Sequence, residues 1–181
     1  ESIERAKKMV IEKKPDLEGS EILRRAKIIG LGAVRYADLS QDRTLDYVFS
    51  WEKMLAMQGN TAPYLQYAVA RIHSIFRKIE SKPNQHHSTE YPPTTDSEKK
   101  LARKLLFFSG ALKQTAKELK PHFLGTYLYE LATEFSSFYN QSKVMVEEKE
   151  IKSLRILLCA RTLTVLEIGL NILGIDTLEE M

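Results

Sequence analysis

Few side chains in this sequence are arranged for covalent chemistry. There is no Gly-rich phosphate loop, no nucleophile elbow and no His-Glu-x-x-His pair. His86 and His87 are adjacent in a polar stretch, with no third ligand near them in sequence. A solvated loop pair explains them better than a metal site, which needs three or four ligands. Cys159 sits between Leu158 and Ala160 on an apolar helical face and reads as a buried, inert thiol. The carboxylates are spread without a convincing catalytic pair, so this chain alone reads as a non-enzyme. Binding chemistry is better represented. Tyr67 and Arg71 are four apart, so a helix places them side by side. An aromatic ring beside a guanidinium can hold an unstacked RNA base. Taken alone, the pattern is weak, because a tyrosine on a helix usually belongs to a core.

Basic residues flank this pair. Residues 61–82 carry Arg71, Arg77, Lys78 and Lys82 against Glu80. Residues 97–120 carry Lys99, Lys100, Arg103, Lys104, Lys113, Lys117 and Lys120 against Glu98 and Glu118. Residues 121–148 are acidic. The net charge of +3 is therefore a small sum over a polarised surface. Such a surface suits a polyanion, although a solvated helix face explains the lysines equally well.

The elements that must position these groups are helical. A chain of 181 residues is long enough for its own core. Periodic apolar positions predict helices over Ser2–Lys14, with Ser2 as N-cap, and from Gly19 or Ser20 through Tyr36. Gly30 and Gly32 inside the second helix suggest close packing. Residues 40–50 read as an extended connector, since no other segment offers a strand partner. Trp51–Met57 gives a helical turn or two. Thr61 is a candidate N-cap with Pro63 in the first turn of a helix to about Glu80. Tyr64, Arg71 and Lys78 share one side of it, and Leu65, Val69, Ile72 and Phe76 form its apolar stripe. A polar loop spans 81–96. Helices follow over 97–108 and 111–119 with a break near Ser109-Gly110, then over about 121–141. The last helix, 149–173, is roughly 37 Å long and stops at Gly174, where a C′ glycine belongs. The expected fold is an all-α helical bundle.

No apolar run reaches the length a membrane helix needs, so no membrane partner is expected. One cysteine excludes an internal disulfide and fits a reducing, cytoplasmic setting. The chain opens on Glu1 without an initiator methionine or a signal-peptide core, which suggests a longer parent.

Residues 58–71, Gln-Gly-Asn-Thr-Ala-Pro-Tyr-Leu-Gln-Tyr-Ala-Val-Ala-Arg, closely resemble the start of the anticodon-binding domain of arginyl-tRNA synthetases, which are class I enzymes. Gly30-Leu-Gly-Ala-Val-Arg-Tyr-Ala-Asp-Leu39 resembles the helix that follows the catalytic domain in that family. Arg43, Tyr47-Val-Phe49 and Trp51-Glu-Lys-Met-Leu55 resemble the connector between the two domains. Leu170-Asn-Ile-Leu-Gly-Ile175, running to Met181, resembles the family C-terminus. The resemblance spans the chain except for about 80–98.

This resemblance implies a bundle of the DALR type, although the corresponding helix here reads Leu158-Cys-Ala-Arg161. It implies a helical junction over 1–50, following an absent catalytic domain upstream, and an anticodon-binding domain over 51–181. It implies that Tyr67 stacks near the anticodon loop, that Arg71 contacts RNA, and that Met181 approaches the loop. Tyr64, Arg77 and Lys78 complete the expected tRNA-binding set. The tail departs from the family pattern: Leu178 stands where proline is common and Glu180 where arginine is common. A carboxylate there would repel phosphate.

The parent enzyme would attach arginine to its tRNA using ATP and magnesium. The HIGH and KMSKS-type signatures of that chemistry are not in these residues, so no cofactor is expected here. Every arginine codon has G in the middle, so the reader should fix a central anticodon C. Two other readings are a helical docking module that binds no RNA and the anticodon domain of a cysteinyl or methionyl enzyme; the 59–71 stretch argues against the latter. Residues 1–50 should pack poorly without the catalytic domain, leaving Ile28, Ile29 or Val34 exposed.

Overall fold

The computed structural model describes residues 1–85 and 89–181. The His86-His87 pair lies outside the described residues. Among the described residues the regular structure is all helical, with no strand. The helices are α1 (Ser2–Lys13), α2 (Gly19–Leu39), α3 (Trp51–Met54), α4 (Ala62–Lys78), α5 (Asp96–Leu106), α6 (Phe108–Glu118), α7 (His122–Gln141) and α8 (Lys149–Ile172). A short 3-10 turn covers Pro83–Gln85.

Helix ends follow their local chemistry. Thr61 caps α4: its Oγ1 accepts the Tyr64 N–H at 3.3 Å and donates to the Ala56 carbonyl at 2.7 Å. Thr95 and Glu98 form a reciprocal capping box at the start of α5. Past α8, Gly174 takes φ +69°, which favours glycine. There the Gly174 N–H reaches Asn171 O and the Ile175 N–H reaches Leu170 O, both at 2.9 Å. That paired geometry turns the chain sharply and sends residues 175–181 back across the bundle.

Two local expectations are corrected. The α1 N-cap is Glu1, without a side-chain cap bond, and not Ser2. The break between α5 and α6 falls at Phe107, and Gly110 lies inside α6. Breaking at Phe107 lets Leu105 and Phe108 both pack on the core, while Leu106 and Phe107 point outward. A Cβ added at Gly110 would meet open space, so the glycine there costs helix propensity without serving close packing.

The principal core joins α4, α5, α7 and α8. Leu65, Ile72, Leu101, Leu131, Phe135, Phe138 and Leu166 are fully buried there. The apolar stripe expected on α4 is this inward face. A second core lies between α1 and α2 and contains Ala6, Val10, Ile22, Ala26, Ile29 and Ala33. Gly30 permits their close approach: a Cβ there would stand 2.9 Å from backbone atoms of Ser2 and Ile3.

The expected exposure of Ile28, Ile29 or Val34 is not found, although Leu23 and Leu31 on α2 and Leu45, Tyr47, Val48 and Phe49 in the connector are exposed. Ile29 is buried, and Ile28 and Val34 are partly covered. The reason is the C-terminal tail, which inserts Leu178, only 2% exposed, into the second core beside Leu55. Gln66 reinforces the join, its buried Nε2 donating to Asp176 O at 2.8 Å and Ile28 O at 3.2 Å. Arg35 also donates to the Gly174 carbonyl. No helix among the described residues is long and apolar enough to cross a membrane.

Candidate RNA-binding site

Helix α4 buries Ala68, Val69, Ile72 and Ile75, which turns Tyr67 and Arg71 outward together. The Arg71 guanidinium carbon lies 4.7 Å from the Tyr67 ring centroid. It also lies 5.2 Å from the ring centroid of Tyr139, near the end of α7. One cation thus holds two tyrosines, each 36% exposed, on either side of the α4–α7 seam. Arg71 stabilises the phenolate of Tyr67, through a hydrogen bond and its charge, and lowers that phenol below its ordinary range.

These groups line an open cleft of about 470 Å³. Lys14, from the end of α1, stands at one side. Arg77, Glu180 and Met181 line the cleft too, with the small side chains of Ala70 and Ser74. Tyr67 and Met181 also border a smaller apolar cleft with Met9, Leu17, Ile29 and Met57. They form the ridge between a polar surface and an apolar one.

The fold therefore brings together Tyr67, Arg71, Arg77 and Met181 from the expected set. It does not bring Tyr64 or Lys78 to the cleft. Tyr64 packs against the principal core, with its hydroxyl 3.3 Å from Ser136 Oγ and its ring edge-on to Tyr129. Lys78 is exposed at the end of α4 and does not line the cleft. Arg77 is engaged by the tail, donating to Glu179 O at 3.0 Å. In the basic run of α5, Lys104 is paired with Glu130 and lies over the Tyr127 ring.

Tyr139, Lys14 and Asn140 were missed by sequence reasoning. Tyr139 lies four residues past Phe135, and that spacing was the available signal.

Cys159 is fully buried, and burial pushes its thiol up to about 12, as expected for an inert cysteine. Among the described residues no three of His, Cys, Asp and Glu are grouped to hold a metal.

Residues 65–181 match the family model described as DALR anticodon binding domain. The chain belongs to this DALR family. Residues 1–51 match a second model, the catalytic domain of class I (R) tRNA synthetases. An arginine–tRNA ligase of Klebsiella pneumoniae is 44% identical over the whole chain, which covers 32% of that relative. One from Escherichia coli gives the same identity and coverage. The chain thus spans about a third of the length of the curated relatives it matches. The solved Thermus thermophilus arginyl-tRNA synthetase superposes with a TM-score of 0.89 at 32% identity, over 99% of this chain and 31% of that one. The Plasmodium falciparum enzyme gives a TM-score of 0.89 at 32% identity, over 99% and 32%. The DALR assignment accords with the all-α fold and with the order of segments compared in the sequence.

Proposed function

We propose that this chain is the anticodon-recognition part of an arginine–tRNA ligase. The full-length protein would join arginine to its tRNA at the expense of ATP in the cytoplasm. Residues 1–50 serve as the junction to a catalytic domain, and residues 51–181 form the DALR domain. The single observation that carries the reading is the Arg71 guanidinium held between Tyr67 and Tyr139 at the edge of an open cleft. Tyrosine faces accept unstacked bases, and stacking contributes about 1–3 kcal/mol per base. Arg71 fixes the two rings relative to each other before RNA arrives, so less ordering is left to binding. Lys14 and Arg71 add attraction for phosphate that is indifferent to sequence. Met181 lines both the polar and the apolar cleft together with Tyr67.

ATP and magnesium belong to the parent enzyme. The residues present do not fit them, since the HIGH and KMSKS-type signatures are not in this sequence and no acidic cluster faces the cleft. The test is a titration of an arginine anticodon stem–loop against its variant with the middle C replaced. The intact loop should bind at least about ten-fold more tightly. Equal binding of both would show that the domain is not the reader. Affinity should also fall steeply with salt, whereas a docking module that binds no RNA would show no such slope.

A further inference from the structure

Glu180 sits where a carboxylate looks out of place, one residue from Met181 in a cleft built for a polyanion. Its surroundings explain it. Cations from three separate elements converge on the side chain. Lys14 Nζ, just past α1, is 3.7 Å away; Arg25 Nη2, on α2, is 3.9 Å away; and Arg77 Nη2, on α4, is 3.5 Å away. Arg25 is 9% exposed, and its buried Nη1 has no hydrogen-bond partner. The Arg25 Nε is engaged by Glu21 at 2.7 Å, and Glu21 also pairs with Arg24. Glu180 is therefore the second carboxylate for a largely buried cation. Arg77 holds the same stretch of tail twice, through the Glu179 carbonyl and the Glu180 carboxylate.

We propose that Glu180 is a positioning residue of the RNA site. Its carboxylate locks the C-terminal tail across α1, α2 and α4, so that Met181 is held beside Tyr67. This rests on the RNA-binding reading above. The charge arithmetic permits it. Among the side chains that line the cleft, the Glu180 carboxylate stands against Lys14, Arg71 and Arg77 and leaves the lining cationic, so the lock does not repel RNA. Leu178 seats the tail by burial, but burial at 178 does not fix the direction of the chain three residues on. The Arg77 bond to the Glu179 carbonyl and the ion pairs at 180 set that direction, and Met181 then packs on the second core. In this arrangement Arg77 acts through the tail rather than on phosphate.

Two measurements on the 181-residue chain test the proposal. One is affinity for an arginine anticodon stem–loop. The other is release of Met181 by carboxypeptidase, measured relative to a free peptide of residues 174–181 with the same substitution. Glu180→Gln makes the cleft more positive, so simple electrostatics would tighten RNA binding. A lock predicts the opposite: affinity about five-fold weaker, the scale of a lost ion-pair network, with Met181 released at least about three-fold faster on the same scale. Glu180→Asp keeps the charge and should stay within about two-fold of the parent in both. Equal or tighter RNA binding by Glu180→Gln would overturn the proposal. So would weaker binding with unchanged release, because the tail would then not be the route. If the parent chain itself fails to bind the stem–loop, the RNA-binding reading has failed; unchanged release by Glu180→Gln then refutes the tail lock by itself.

Discussion

Arg71 and Tyr139 lie far apart in sequence, yet the guanidinium carbon of one is 5.2 Å from the ring centroid of the other. That contact joins α4 to α7 at the mouth of the cleft. It makes the Tyr67–Arg71 pair, a local feature of one helix, into a surface with two aromatic faces.

Stacking on Tyr67 should be separable from its hydroxyl. Tyr67→Phe should keep anticodon stem–loop affinity within about two-fold, while Tyr67→Ala should lower it about ten-fold or more. Fluorescence titration with both variants distinguishes ring from hydroxyl. A full loss in Tyr67→Phe would assign the role to the phenol.

Arg71→Lys retains charge but loses the planar guanidinium that lies against both rings. Stem–loop affinity should fall about three- to ten-fold, and the salt dependence should change little. A shallower salt slope with the lost affinity would mean that Arg71 acts chiefly on phosphate.

Gly30→Ala forces a methyl to within 2.9 Å of the α1 backbone. Helix propensity alone favours alanine by nearly 1 kcal/mol. Overpacking costs about 1–3 kcal/mol, so the net change should be destabilising. Denaturant unfolding, with amide exchange in α1, measures it. Gly110→Ala, with open space around it, is the control and should stabilise slightly.

Glu98 is fully buried at the start of α5. Burial raises its pKa, but the Thr95 N–H, the Arg155 guanidinium and the Thr94 N–H overcome this and hold the carboxyl at about 2. Its folded value lies below the ordinary 4.5. The stability it contributes is therefore complete above pH 4.5 and is lost as pH falls toward 2. Glu98→Gln should cost about 1–3 kcal/mol at neutral pH and flatten the acid limb of a stability–pH curve.

Cys159 should resist maleimide or disulfide reagents in the native chain and react only on unfolding, because a buried thiol pushed up to about 12 presents almost no thiolate. Labelling followed by mass spectrometry, with and without denaturant, checks this. Fast native labelling would contradict the packing of α8.

By itself the sequence determined what is local. Apolar spacing placed the helices to within a few residues. Thr61 and Gly174 marked real helix ends, and the step from residue 67 to 71 forced Tyr67 and Arg71 onto one face. Helix geometry makes that pairing obligatory, since residues four apart on a helix are neighbours. The break at Phe107 was misplaced because core packing of Leu105 and Phe108, not the flexibility of Gly110, decides it. Only the tertiary structure decided which distant groups join the pair. Lys14, Tyr139 and Glu180 arrive from the end of α1, the end of α7 and the tail. Their meeting depends on helix packing and on Leu178 entering the second core. It also removed Tyr64 and Lys78 from the cleft, because a helix has one inward face and one exposed end, and which side meets α7 is set by the partner helix. The carboxylate at 180 shows the difference most directly. In sequence it reads as a charge that repels RNA; in the fold it is the group on which three cations converge.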